Sequence, residues 1–288
     1  MTLSGEARIF GVDFTSAPRR RKPITVACAR ARPGCLQLER IDALGDFQAF
    51  EALLATPGPW VGGFDFPFGL PRELLLALNW PGADSQNRDA WALMVRHLQA
   101  MPRSQMVSAF RAWCDARPPG SKFAHRAVDR LAGSSPSMKW VNPPVAFMLQ
   151  AGAPRLLAAD VCLPGQHVGD PQRIALEAYP GMIARSIIGR RSYKSDQAAA
   201  QTSERAMARR EIIAAIEAGG VLGLPVILSD SVREQCVDDG SADALDAVLC
   251  ALQAAWAFQR QDRNFGLPNR IDPIEGWIAT VPDPETSI

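Results

Sequence analysis

The 288-residue sequence has few of the features that identify exported or zinc-stabilised proteins. Its six cysteines are scattered, and the absence of any CxxC pair or CxxxH spacing argues against a zinc ribbon and a thioredoxin-type site. The N-terminus lacks the basic-then-apolar pattern of a signal peptide, and no apolar run approaches the ~20 residues that a membrane span needs. We therefore expect a soluble cytoplasmic protein with buried, reduced cysteines and no membrane partner.

The sequence also lacks an excess of charge of either sign. Thirty-one basic and thirty acidic residues leave a formal charge of +1, which argues against nucleic-acid binding through bulk positive charge but is compatible with a local basic strip. The three histidines show no metal-binding spacing, and no Ser-His-Asp arrangement is evident. DNA or RNA thus remains open as a partner, and nothing indicates the oligomeric state.

Short apolar segments joined by turns containing Pro or Gly indicate a mixed sheet. Strands are predicted at residues 8–14, 24–29, 36–41, 60–64 and 173–179, with one more short strand at 277–281. Helical spacing is found after Asp46 and at residues 85–100, 104–116, 144–157, 181–188, 203–218 and 241–259. The predicted fold class is α/β, with a three-strand antiparallel meander, parallel strands and flanking helices.

The helices between the fourth and fifth predicted strands are too extensive to be a loop. We therefore predict an α/β core formed by residues 1–66 and 171–288, and a mainly helical insertion at residues 67–170. Four of the seven tryptophans lie in this insertion, where we expect them to form a small core.

Acidic residues occur where predicted strands or helices end. Asp13, Asp65 and Glu177 lie in or directly after apolar strands, and Asp243 and Asp246 share one face of the last helix. Charges beside apolar strands are costly unless they are paired or bound to a cation. Oxygen-rich clusters suit Mg²⁺ or Mn²⁺, and two such ions can activate water and stabilise the leaving oxygen of a phosphodiester. The pattern favours metal-assisted phosphoryl hydrolysis.

Each acid also has a simpler interpretation. Asp13 or Asp65 could bond its own backbone in an Asx-turn, Asp243 could complement a helix dipole, and Glu177 could pair with Arg173. Their joint occurrence, on elements expected to converge, favours the metal site.

Several motifs resemble the landmarks of domain-of-unknown-function family 429, whose members are classed as predicted nucleases with an RNase H-like fold. They are Gly11-Val12-Asp13, Phe64-Asp65-Phe66-Pro67-Phe68-Gly69, Glu177-Ala178-Tyr179-Pro180, Tyr193-Lys194 and Asp243-Ala244-Leu245-Asp246-Ala247. The AspxxAsp helix is also similar to that of RuvC-type junction resolvases.

The resemblance implies a central first strand that carries a metal-bridging acid, here Asp13. It implies a second acid on the neighbouring fourth strand, here Asp65, and a last one on the C-terminal helix, here Asp243 or Asp246. RNase H-like enzymes often have Glu on the fourth strand, so either the metal lies closer to the shorter Asp65 or Glu177 supplies the reach. The implied activity is that of a divalent-metal-dependent nuclease.

Basic residues near these motifs are candidates for binding phosphate. They are Arg19 in the first hairpin, Arg190 and Arg191 after a helix, and Lys194, which the motif match favours. Arg126 and Asp129 have the i, i+3 spacing of a surface ion pair.

Two other functions are compatible with the sequence. Asp13-Phe14-Thr15-Ser16 faintly resembles the phosphate loop of actin-like ATP-dependent phosphotransferases, although Phe14 replaces the usual glycine and no second phosphate loop is visible. The near-zero net charge instead favours a non-catalytic adaptor that kept the fold and its acids.

Overall fold

A computed structural model describes residues 7–87 and 89–284, so that both ends of the predicted core and residue 88 of the predicted insertion lie outside the described residues. A seven-stranded sheet has the order β5-β6-β4-β1-β2-β3-β7. Its strands are β1 (Arg8–Asp13), β2 (Ile24–Arg32), β3 (Cys35–Leu44), β4 (Trp60–Phe64), β5 (Val161–Cys162), β6 (Asp170–Glu177) and β7 (Val226–Ile227). The first three strands are antiparallel and the remaining pairings are parallel. This confirms the predicted α/β class and mixed sheet.

Helices cover both faces of the sheet. They are α1 (Phe47–Leu54), α2 (Arg72–Ala77), α3 (Asp89–Ala100), α4 (Arg103–Asp115), α5 (Ala127–Ala132), α6 (Val145–Ala158), α7 (Pro180–Ile188), α8 (Ser203–Glu217), α9 (Asp230–Asp238) and α10 (Asp243–Phe258). As predicted, Asp46 caps α1, where its Oδ1 accepts the Ala49 N–H at 2.8 Å. Among the described residues, no helix combines the length and apolarity needed to cross a bilayer.

The strand predicted at residues 277–281 is instead an irregular segment with one parallel bridge, between Glu177 and Ile278. The short elements β5, β7, α2, α5 and α9 were not predicted from the sequence.

Two glycines allow α10 to lie directly on one face of the sheet, which we call the α10 face. A Cβ on Gly11 would lie 2.0 Å from the carbonyl oxygen of Ala247, and one on Gly63 would lie 2.4 Å from that of Cys250. Any larger side chain would push the helix away. The opposite face, which we call the insertion face, carries alternate residues such as Val12 and packs against the helices between β4 and β5.

Candidate acidic site at the strand ends

Asp13 and Asp65 end two neighbouring strands. β1 and β4 are parallel with Val12 beside Phe64, and the Asp65 N–H donates to the Val12 carbonyl at 2.9 Å. Side chains alternate along a strand, so each aspartate lies on the same face as the glycine two residues before it. Both carboxylates therefore lie at the same edge of the sheet, on the α10 face.

Helix α10 brings two further carboxylates to this edge. Ala247 and Cys250 contact the two glycines described above, and Asp243 and Asp246 lie one helical turn before them. The N-terminus of α10 thus lies over the ends of β1 and β4. The structure brings together four of the five predicted acids, and we call Asp13, Asp65, Asp243 and Asp246 the acidic cluster.

The acidic cluster holds charge that its surroundings do not offset. Burial, followed by the charges of Asp246, Asp65 and Asp243, raises the pKa of Asp13 well above its usual value. Burial also raises the pKa of Asp65 to about 7, against the opposing charge of Lys194. The pKa of Asp243 is raised by burial and by nearby Asp239. At least two carboxylates are therefore poised to take up a proton or a cation.

The four carboxylates differ in their partners. Among the residues that the structure describes, no donor is hydrogen-bonded to the side chain of Asp13 or Asp65. Asp246, by contrast, is fully buried and accepts a hydrogen bond from the Tyr193 hydroxyl at 2.7 Å and an ion-pair contact from the Lys194 amine. Asp246 thus has its partners within the protein. Asp13 and Asp65 have no donor among the described residues, and we call them the open acids.

Glu177, the fifth predicted acid, lies on the insertion face. It is beside Phe64 rather than Asp65 in the β4–β6 pairing, and this offset by one residue puts its side chain on the other side of the sheet. Its two oxygens accept hydrogen bonds from Arg126 at 2.6 and 2.7 Å and from the Phe68 N–H at 2.9 Å. Glu177 thus has partners of its own, while its charge still contributes to the raised pKa of Asp65.

Arg126 and Asp129 are not the surface pair that their spacing indicated. Arg126 is 1% exposed and Asp129 0%. The guanidinium donates to Asp129 at 2.8 Å, to Glu177, and to the backbone carbonyl of Glu275 at 2.9 Å. We call Arg126, Asp129 and Glu177 the Arg126 cluster. It connects the insertion to the end of β6.

The structure does not assemble the predicted four-carboxylate set into a ready metal centre. In the ranges 7–87 and 89–284, no group of three or more His, Cys, Asp or Glu side chains is arranged so that it could hold a metal ion. In addition, Tyr193 and Lys194 occupy both oxygens of the Asp246 carboxylate. Any ion here has to rely on the open acids, together with water or substrate oxygens.

The predicted basic residues do not all lie beside the acidic cluster. Lys194 lies in the acidic cluster, whereas Arg191 forms an exposed ion pair with Glu211 at 2.7 Å. Arg190 and Arg19 are exposed. Lys22, at the end of the same basic run as Arg19, has a charge that opposes the raised pKa of Asp243 and an amine that pairs with Asp196 at 3.1 Å.

A cleft of about 400 Å³ opens beside Asp65, between the core and the insertion. Its polar lining includes Lys194, Tyr193, Tyr179 and Arg185, and apolar side chains such as Met148 form much of the remainder. Sequence reasoning had not assigned Tyr179 or Arg185 to the site. Tyr179 follows the end of β6, so the strand-end rule that selected the acids would also have found it.

Comparisons with known proteins add a family. The model of a family described as "Protein of unknown function (DUF429)" matches residues 11–270, a range that includes both clusters. No curated protein and no solved structure matches the chain.

Proposed function

The chain belongs to the DUF429 family, and we propose that it is a divalent-metal-dependent phosphodiesterase that hydrolyses a nucleic-acid phosphodiester. One observation carries the proposal: Asp13 and Asp65 end adjacent strands with partly buried carboxylates, raised pKa values and no hydrogen-bond donor from residues 7–87 and 89–284. Buried acids without partners are costly, and sites that retain them are candidates for function.

The donor chemistry of this pair fits Mg²⁺ or Mn²⁺. Magnesium is commonly held by one or two carboxylates, with waters and substrate phosphate oxygens completing its shell. Asp13 and Asp65 would hold such an ion, and Asp243 lies close enough for its charge to raise the pKa of Asp13. When bound, the ion offsets charge on the phosphate and lowers the pKa of nearby water.

The chain's own groups account for the remaining chemistry in this proposal. The oxygen of a water forms the new bond to phosphorus, the ester P–O bond breaks, and the departing oxygen takes up a proton from solvent. Asp243 is partly exposed and has a raised pKa, so we assign it to accept the proton of the attacking water. The Arg126 cluster positions the end of β6 and the Phe68 backbone and supplies no reacting group.

The sheet order supports an RNase H-like fold as part of the proposal. β1 lies between β4 and the antiparallel strand β2, carries Asp13, and is crossed by the C-terminal helix α10 with its two acids. This is the arrangement implied by the motif resemblance. The cleft beside Asp65 offers the substrate aromatic and cationic side chains, among them Tyr179, Arg185 and Lys194.

The test is hydrolysis of bis(4-nitrophenyl) phosphate and of labelled single- and double-stranded oligonucleotides with Mg²⁺ or Mn²⁺. We expect turnover by the wild type that EDTA stops, and none by Asp13→Asn, which removes charge at nearly constant shape. Asp115→Asn, a change at an exposed residue of α4, is the matched control and should keep full activity.

The alternatives have their own signatures in the same assays. Full activity in Asp13→Asn would show that this carboxylate is not the central ligand. Tight ATP binding without diester hydrolysis would support a phosphotransferase instead. A folded protein that binds no metal at millimolar concentration would fit a non-catalytic adaptor.

A further inference from the structure

Lys194 occupies one side of the acidic cluster. Its amine contacts Asp246, whose other oxygen accepts the Tyr193 hydroxyl at 2.7 Å. Burial disfavours the charged form of Lys194, but nearby Asp246 and the open acids outweigh it and raise the lysine pKa. The contact with Asp246 is therefore an ion pair, with the positive charge of the amine beside the cluster.

The contacts divide the acidic cluster into two unlike halves. On the Asp246 side, both carboxylate oxygens have donors from the chain itself. On the Asp13 and Asp65 side, no described residue donates to either carboxylate. An added cation is stabilised most beside Asp13 and Asp65. There it relieves the repulsion between the carboxylates and displaces no hydrogen-bond donor.

The Lys194 side chain also remains partly exposed and reaches the cleft, although its amine is largely buried beside Asp246. The Lys194 side chain is 45% exposed while its partner Asp246 is 0% exposed, and Lys194 and Asp65 both line the cleft. An ammonium group has three donor hydrogens, so contact with Asp246 leaves donors for an anionic oxygen in the cleft.

We propose that Lys194 is a built-in cation that takes the place of a second divalent ion, so that the site binds a single metal on Asp13 and Asp65. This inference rests on the proposed function and specifies its metal count. A second ion near Asp246 would have to displace the Lys194 ammonium from its carboxylate. The ammonium instead supplies fixed positive charge beside the phosphate.

The test counts Mn²⁺ bound per chain, by calorimetry and by electron paramagnetic resonance of free Mn²⁺ at pH 8. The wild type should bind one ion at the site. Lys194→Met, which removes the charge and keeps an unbranched side chain of similar length, should bind two. Lys122→Met is the matched control: it is the same substitution at an exposed lysine of the insertion that does not line the cleft, and it should still bind one.

The outcomes separate this inference from the proposed function. Two ions in the wild type would overturn the role of Lys194 and leave metal-dependent hydrolysis standing, whereas no ion at millimolar Mn²⁺ would remove both. A count of one in Lys194→Met, or of two in Lys122→Met, would also overturn the inference. If Lys194→Met does not fold, Lys194→Gln, whose neutral amide can still donate to Asp246, takes its place with the same expected count.

Discussion

The molecule holds charged groups at the ends of its central strands on both faces of the sheet, and the two sets differ in one respect. In the Arg126 cluster, the guanidinium and the Glu177 carboxylate are buried and every oxygen of Glu177 has a donor. In the acidic cluster, Lys194 contacts Asp246, but Asp13 and Asp65 have no donor among the described residues.

This difference separates a structural role from a functional one. A buried charge network whose members are all satisfied fixes two chain segments relative to each other. Buried carboxylates without donors cost folding free energy, and a bound ligand relieves that cost. The comparison therefore assigns Arg126, Asp129 and Glu177 to architecture, and Asp13 and Asp65 to binding.

Disrupting the Arg126 cluster should have the largest effect on stability. Arg126→Met leaves Glu177 and Asp129 buried without their cation, and removing one partner of such a network typically costs about 3–5 kcal/mol. Urea unfolding measures this, with Arg191→Met, a change at an exposed ion pair, as the control that should not change the midpoint. An Arg126→Met protein as stable as the wild type would refute the structural role.

Neutralising one carboxylate of the acidic cluster should instead increase the free energy of unfolding. Asp65→Asn removes a carboxylate whose pKa is raised to about 7, so the metal-free variant should be more stable than the wild type at pH 8. A gain of roughly 1–3 kcal/mol is expected, since each unit of pKa shift corresponds to about 1.4 kcal/mol. Asp115→Asn is the control without an effect. A loss of stability in Asp65→Asn would mean that the carboxylate is already satisfied in the protein.

The sign of this effect predicts a pH dependence. The Asp65 carboxyl keeps its proton up to about pH 7 in the folded state but loses it near its ordinary value of 3.8 when unfolded. The folded state thus binds more protons in between, and the contribution of Asp65 to the unfolding free energy falls as pH rises from about 4 to about 7. Urea unfolding in EDTA at pH 5 and pH 8 should show the gap between Asp65→Asn and the wild type widening toward pH 8. A constant gap would contradict the raised pKa.

The smallest expected effect is on metal binding when Glu177 is changed. Glu177→Gln keeps the shape and part of the hydrogen bonding, so Mn²⁺ affinity should stay within about twofold of the wild type, a difference under 0.5 kcal/mol. Calorimetry provides the affinity, and a thermal melt checks the fold. A tenfold loss of affinity in a folded variant would return Glu177 to the metal site.

Local patterns could predict that Asp13 and Asp65 each end a strand, and the motif resemblance implied that these two strands are neighbours. Both follow short apolar strands that are buried, and the ends of adjacent parallel strands meet at one edge. The i, i+3 spacing of Asp243 and Asp246 likewise placed both on one face of α10, and the structure confirms that they share an edge of the sheet with Asp13.

The face of the sheet on which Glu177 lies could not be predicted from local sequence patterns. Alternation within β6 gives two sets of residues, but which set faces α10 depends on the register with β4, where a shift by one residue reverses the outcome. The pairings of Glu177 with Arg126 and of Asp246 with Lys194 join residues 51 and 52 positions apart, and local spacing contains no information about such contacts. Strands β5 and β7 have two residues each, too few for a periodic pattern.

The most direct test of the central claim is an anomalous difference map from a crystal soaked in Mn²⁺. The account predicts one peak at the ends of β1 and β4, within coordination distance of carboxylate oxygens of Asp13 and Asp65, with the Lys194 amine still on Asp246. A peak bound to Asp246 in place of the lysine, or none at these strand ends in a well-ordered crystal, would contradict it.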